Sequence, residues 1–149
     1  GGCTDEQYLQ HFAMWAFLGS PLIIGADIRQ MDKLNKATLL NKGLISIHQD
    51  SDCRPAFVVG KLKENKYTLA KLLSNNRISI AFFNVGTKDN GEQNMSISFD
   101  DLGIHSESGI GLRLMDAITG EDYGTFYDGY YTKLAADQCK ILIGELVTE

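Results

Sequence analysis

The chain has 149 residues, enough for one ordinary domain with a sizeable core, and its 44% hydrophobic and 22% charged residues are a normal globular balance. Its formal charge of -5, with lysines scattered along the chain, gives no electrostatic footprint for nucleic acid or an anionic membrane, so any substrate is expected to be neutral. No stretch approaches the roughly 20 apolar residues that span a bilayer, and no basic run followed by an apolar core marks a signal peptide. The start, Gly1-Gly2-Cys3, reads as the interior of a longer protein. Cys3, Cys53 and Cys139 are odd in number, far apart and without CxxC spacing. That pattern speaks against a structural zinc and for free thiols, and it favours a cytoplasmic location.

The first fifty residues read as helix, strand, helix. Thr4 and Gln7 form a capping box, and apolar residues follow from Tyr8 to Leu18 until Gly19 and Pro21 stop the helix. The unbroken run Leu22-Ile23-Ile24, ahead of Gly25-Ala26-Asp27, suits a strand buried on both faces of a parallel sheet. A second helical pattern carries Met31, Leu34, Ala37, Leu39 and Leu40, with Gly43 as its C-cap and Leu44 to Ile47 as a short apolar turn. One such unit cannot make its own parallel sheet, so its strand needs partners from elsewhere.

After Pro55 the period becomes two. Ile78, Ile80 and Phe82 alternate with Ser79 and Ala81, and Met95, Ile97 and Phe99 alternate with Ser96 and Ser98. Tyr67 and Leu69 flank Thr68, and Ala56 to Gly60, Leu112 to Asp116, Tyr130 to Leu134 and Cys139 to Val147 are further strand candidates. Glu64-Asn65, Ser74-Asn75-Asn76, Lys88-Asp89-Asn90-Gly91, Thr119-Gly120 and Asp128-Gly129 supply the turns. The expected fold class is α+β: a helix-strand-helix unit over 1–54, then an antiparallel β-sandwich of seven to eight strands over 55–149.

The blocks Thr4-Asp5-Glu6-Gln7, His11-Phe12-Ala13-Met14-Trp15-Ala16, Ser20 to Arg29, Asn41-Lys42, Ile45-Ser46-Ile47 and Gln49-Asp50 resemble the melibiase-type α-galactosidases, a family of retaining glycoside hydrolases. In the second half, Thr68 to Leu72, Ile78 to Asn84, Asp101-Leu102-Gly103, Leu114 to Ala117 and Cys139 to Leu142 are similar to the family's C-terminal domain, in the same order. Two positions depart: Ala26 stands where the family often has Asn, and Ala117 stands close to the place of a Trp. The resemblance implies that 1–54 is the last helix-strand-helix unit of a (β/α)8 barrel and 55–149 an accessory sandwich. It implies a parent that hydrolyses neutral terminal α-galactosides without a cofactor, and an N-terminal barrel as the chain's partner.

Retention requires two carboxyl groups about 5–5.5 Å apart, and in the resembled family both are aspartates on earlier barrel strands. No catalytic residue is therefore expected here, and the chain alone is expected to be inactive. Asp27, after the barrel strand, is the one candidate near the sugar, there to orient other groups; the alternative is an ordinary helix cap. Asp100-Asp101 and Asp128 read as turn residues, and His11, His48 and His105 lack metal-ligand spacing. Tyr123, Phe126, Tyr127, Tyr130 and Tyr131 raise a second reading, a stand-alone carbohydrate-binding or interaction sandwich, although they also suit a core. Trp15, Tyr8 and Phe12 read as core, and Asn94-Met95-Ser96 is a glycosylation sequon on a strand. Without barrel neighbours, Leu22, Ile23 and Ile24 would drive the helices onto the sandwich or the chain onto a second copy of itself.

Overall fold

A computed structural model describes residues 2–60, 63–86 and 91–148. The turn expected over Lys88-Asp89-Asn90 lies outside the described residues. The elements run α1 (Asp5–Leu18), α2 (Lys33–Leu39), α3 (Lys42–His48), then β1 (Phe57–Val58), β2 (Lys66–Leu73), β3 (Arg77–Asn84), β4 (Gln93–Ser98), β5 (Ile110–Asp116), β6 (Asp122–Phe126), β7 (Gly129–Leu134) and β8 (Cys139–Thr148). The chain is α+β, with antiparallel sheets and few helices.

Local chemistry sets the helix ends. The Thr4 hydroxyl accepts from Gln7 N–H while the Gln7 side chain accepts from Thr4 N–H, and Gly19, at φ 72°, closes α1 in the left-handed region. Asn41 starts α3 by accepting from Leu44 N–H. Gly43, expected as a C-cap, instead lies inside α3. It is there because the helix crosses the β5–β6 corner so closely that a Cβ would overlap the Ala117 carbonyl.

The larger sheet has the order β1-β2-β3-β8-β5-β6, and β4 pairs with β7 in a second, two-stranded sheet. All of these pairings are antiparallel. Ile78, Ile80 and Phe82 of β3 meet Met95, Ile97, Leu112, Leu114 and Leu142 in the core between the sheets. The intervening residues are also buried. Ala81 and Phe83, with Leu69, Leu73 and Ile141, pack against Ala13, Ala16 and Phe17 of α1 and Leu44 and Ile47 of α3. The molecule is thus three layers deep, small sheet on large sheet on helices. Two-sided burial explains why β3 carries the small residues Ser79 and Ala81 where a solvated face would carry charge.

Gln10 fastens the helical layer. It is buried, and its Nε2 donates to Asn84 O at 3.1 Å and Gln138 O at 3.0 Å. We expect Gln10→Ala to cost about 1–3 kcal/mol, because two hydrogen bonds that tie α1 to the sheet are lost where water enters poorly, although each carbonyl keeps a backbone donor, Asp137 N–H or Asn84 N–H. Urea unfolding reads this as a lower midpoint at unchanged slope, and an unaltered midpoint would contradict it.

Leu44 to Ile47, expected as a short turn, belong to α3, and the expected strand before them is absent. Leu22 to Ile24 form no strand, and among the described residues the segment pairs with no other; Ile23 is 86% exposed and Ile24 54%. The reason is topological: the sheets here are antiparallel, and none offers a parallel neighbour to this segment.

Candidate functional site

An open concavity lies against α1. Tyr8, Phe12 and Trp15 form one wall, Leu22 to Asp27 the second, and Met31, Asn35 and Leu39 around α2 the third, enclosing about 790 Å³. Its lining is mainly apolar. Trp15, expected in the core, is 45% exposed on this wall, and His11 meets it edge-on at 5.8 Å between ring centroids. Leu18, Ile28, Leu34 and Leu40, on the same stretch of chain, are exposed as well.

Asp27 sits at the groove's edge. Its Oδ1 accepts from Arg29 N–H at 3.0 Å, capping the 3-10 turn Ile28–Gln30, and from Arg29 Nε at 2.9 Å; its Oδ2 accepts from Arg29 Nη2 at 2.7 Å. The Arg29 guanidinium, then the Arg29 amide, hold the Asp27 carboxyl below the usual carboxylate range. A carboxylate held in this way is a poor proton donor near neutral pH. Asp32 likewise caps α2 through Asn35 N–H at 2.9 Å. These two aspartates of the groove wall are therefore both occupied as caps.

The remaining sequence candidates are dispersed. Asp100 and Asp101 lie on a 3-10 turn, where Asp100 Oδ1 meets His105 Nδ1 at 3.1 Å. His48 Nε2 lies 2.9 Å from Ser20 O. Among the aromatics, Tyr123, Phe126 and Tyr130 pack against the inter-sheet core, with Tyr123 and Tyr130 stacked at 6.1 Å. Tyr131 points out, 56% exposed, and its hydroxyl donates to Asn94 Oδ1 at 2.7 Å.

Two polar clusters were not singled out in the sequence. Asp50 has a side chain only 1% exposed; it accepts from Ser74 N–H and Oγ, Asp52 N–H and Arg77 Nη2. Burial alone would raise its pKa, but the bonds from Ser74 and Asp52 and the charge of Arg77 outweigh it and lower the value. Asp50 thereby bolts the end of α3 to the β2–β3 turn. In the second cluster, buried Asp116 accepts from Ile118 and Thr119 N–H, and Lys140 Nζ lies 3.2 Å from its Oδ2 and 2.8 Å from Tyr123 Oη. The same neighbourhood pushes the Cys139 thiol up to about 12, chiefly by burial. Asp50 had one signal, its place in the block Gln49-Asp50, and Asp116 had the same kind, its place in the block Leu114 to Ala117; the pairing of Asp116 with Lys140 had none, because the two are distant in sequence.

The family model described as alpha galactosidase A matches residues 1–50. The fission yeast Schizosaccharomyces pombe α-galactosidase mel1 is 41% identical over 91 residues, covering 59% of this chain and 21% of that protein. Arabidopsis thaliana α-galactosidase 2 is 32% identical over 116 residues, covering 76% of this chain and 28% of that protein. The crystal structure of α-galactosidase I from Mortierella vinacea superposes with a TM-score of 0.85 at 25% identity, over 97% of this chain and 36% of that one. Sequence and fold together set the chain among the glycoside hydrolases. Within that class it is a relative of the melibiase-type α-galactosidases, of whose length it spans between about a fifth and a third.

Proposed function

We propose that the chain is the C-terminal portion of a retaining α-galactosidase acting on neutral terminal α-galactosides. Residues 1–54 close the (β/α)8 barrel as its last helix-strand-helix unit, and residues 55–149 form an accessory β-sandwich of seven to eight strands. The observation that carries this reading is the apolar groove: Leu22-Ile23-Ile24, in no strand and beside the exposed Trp15, is the surface that flanking barrel elements would cover. The parent's N-terminal barrel is the partner that fits it. Without that barrel, a second copy of the chain would meet the same three residues.

Bond cleavage with retention needs an acid and a nucleophile on opposite sides of the anomeric carbon. That the groove's Asp27 and Asp32 are tied up as caps supports a reading in which both catalytic carboxyls come from the rest of the parent. Asp27 contributes at most by orienting neighbouring groups, with Arg29 holding it in place. The purified chain is expected to release no nitrophenol from 4-nitrophenyl α-galactoside above the buffer blank, whereas the polypeptide carrying the upstream barrel turns it over with retention. Turnover by the chain alone would overturn the reading. The sugar-binding alternative draws on Tyr131 and its Asn94 partner, and a galactose titration followed by NMR at Tyr131 distinguishes the two.

A further inference from the structure

Lys71 lies between Leu69 and Leu73 on the face that β2 turns toward the helices, and it is 2% exposed. Its Nζ reaches the end of α1, 3.7 Å from where a Cβ at Gly19 would stand. Among the described residues this Nζ has no hydrogen-bond or ion-pair partner. Asp50 and the Cys53 thiol, both beyond the end of α3, are the titratable groups that act on it. Asp50 already accepts from Ser74, Asp52 and Arg77. The last turn of α1, Trp15 to Leu18, carries no charged side chain, and His48 in the last turn of α3 is turned to Ser20 O. Across the sheet, Ser79 pairs with Lys71 but gives its hydroxyl to Leu142 O. An ammonium buried in this way gives up hydration and gets no bond in return, whereas a neutral amine gives up far less.

We infer that Lys71 is a protonation switch beneath the helical layer: charged, it loosens the seat of α1 and α3 on the large sheet, and neutral, it tightens that seat. Burial pushes the Lys71 amine below the ordinary lysine range, and the opposing pull of Asp50 and Cys53 offsets only part of this. Between that lowered folded value and the unfolded value near 10.4, the unfolded chain holds more protons. The contribution of Lys71 to stability therefore rises with pH across this window and is complete above it. This inference goes beyond the enzyme reading and concerns a contact lying wholly within the chain.

Thermal unfolding of the chain and of Lys71→Met, compared from pH 7 to pH 10, tests it. At pH 7 the variant is expected to melt at least about 3 °C above the wild type, because the methionine fills the same space without a charge. The gap is expected to narrow steadily toward pH 10; taking the difference removes the titration of Cys139, Tyr130 and Lys140, which both chains share. A variant no more stable than the wild type at pH 7 would overturn the inference, and so would a gap that stays constant with pH. The wild type supplies a second measurement: in a chain with 13C at lysine Cε, the Lys71 signal is expected to titrate at lower pH than those of the exposed lysines. Titration together with them would equally overturn it.

Discussion

Replacing Asp50 with alanine is expected to destabilise the chain by about 3–5 kcal/mol, lowering the thermal midpoint by roughly 10 °C. The side chain is 1% exposed and joins α3 to the β2–β3 turn through Ser74 and Arg77. Removing it strands the half-buried Arg77 and takes away the carboxylate that offsets burial at Lys71, itself 2% exposed with its pKa lowered chiefly by desolvation. The same residue fixes an acid dependence. Because the folded-state pKa of Asp50 is depressed, its contribution is complete above the unfolded value near 3.9 and is lost as pH falls through the lower folded value. Asp50→Asn should flatten that limb of the stability curve while lowering its plateau. A variant whose acid limb matches the wild type would show that another carboxylate is responsible.

Gly43→Ala is the second large effect. A methyl group there meets the Ala117 carbonyl, and its contact atoms are backbone on both sides, so neither can rotate away. The helix must shift, pulling Leu44 and Ile47 from the sheet and stretching the bond from Asn41 to Ile118. We expect a cost of about 3 kcal/mol, at the upper end for overpacking. Trp15 is the chain's single tryptophan, so its emission follows the helical layer while circular dichroism follows the strands. Wild-type thermal midpoints in both signals would refute the argument.

The elements were legible where local chemistry decides them. The Thr4–Gln7 capping box, the turn at Asn75-Asn76 and the alternation along β4 all follow from residues near one another in the chain. β6 was not foreseen, because Asp122-Tyr123-Gly124-Thr125-Phe126 carries an acidic residue and a positive-φ glycine, poor strand formers that pairing with β5 overrides. Gly43 misled for a related reason. A glycine near a helix end usually signals termination, whereas here it permits a close crossing set by Ala117, more than seventy residues away. Leu22-Ile23-Ile24 misled in the opposite sense, since an apolar run reports a liking for burial and not whether neighbours exist. Of the candidate site, the Asp27 cap was readable from its place before a turn. The groove was not, because three separate segments must converge to make it.

The two-faced large sheet bears on how such a protein can be inherited. With Phe83, Leu69 and Ile141 turned to the helices and Ile80 and Phe82 to the opposite side, the sandwich has an oily back as well as an oily middle. Grafted behind a foreign enzyme without the helices, it would arrive naked on that back and clump. Gene shuffling should therefore move it only together with the helices that roof it.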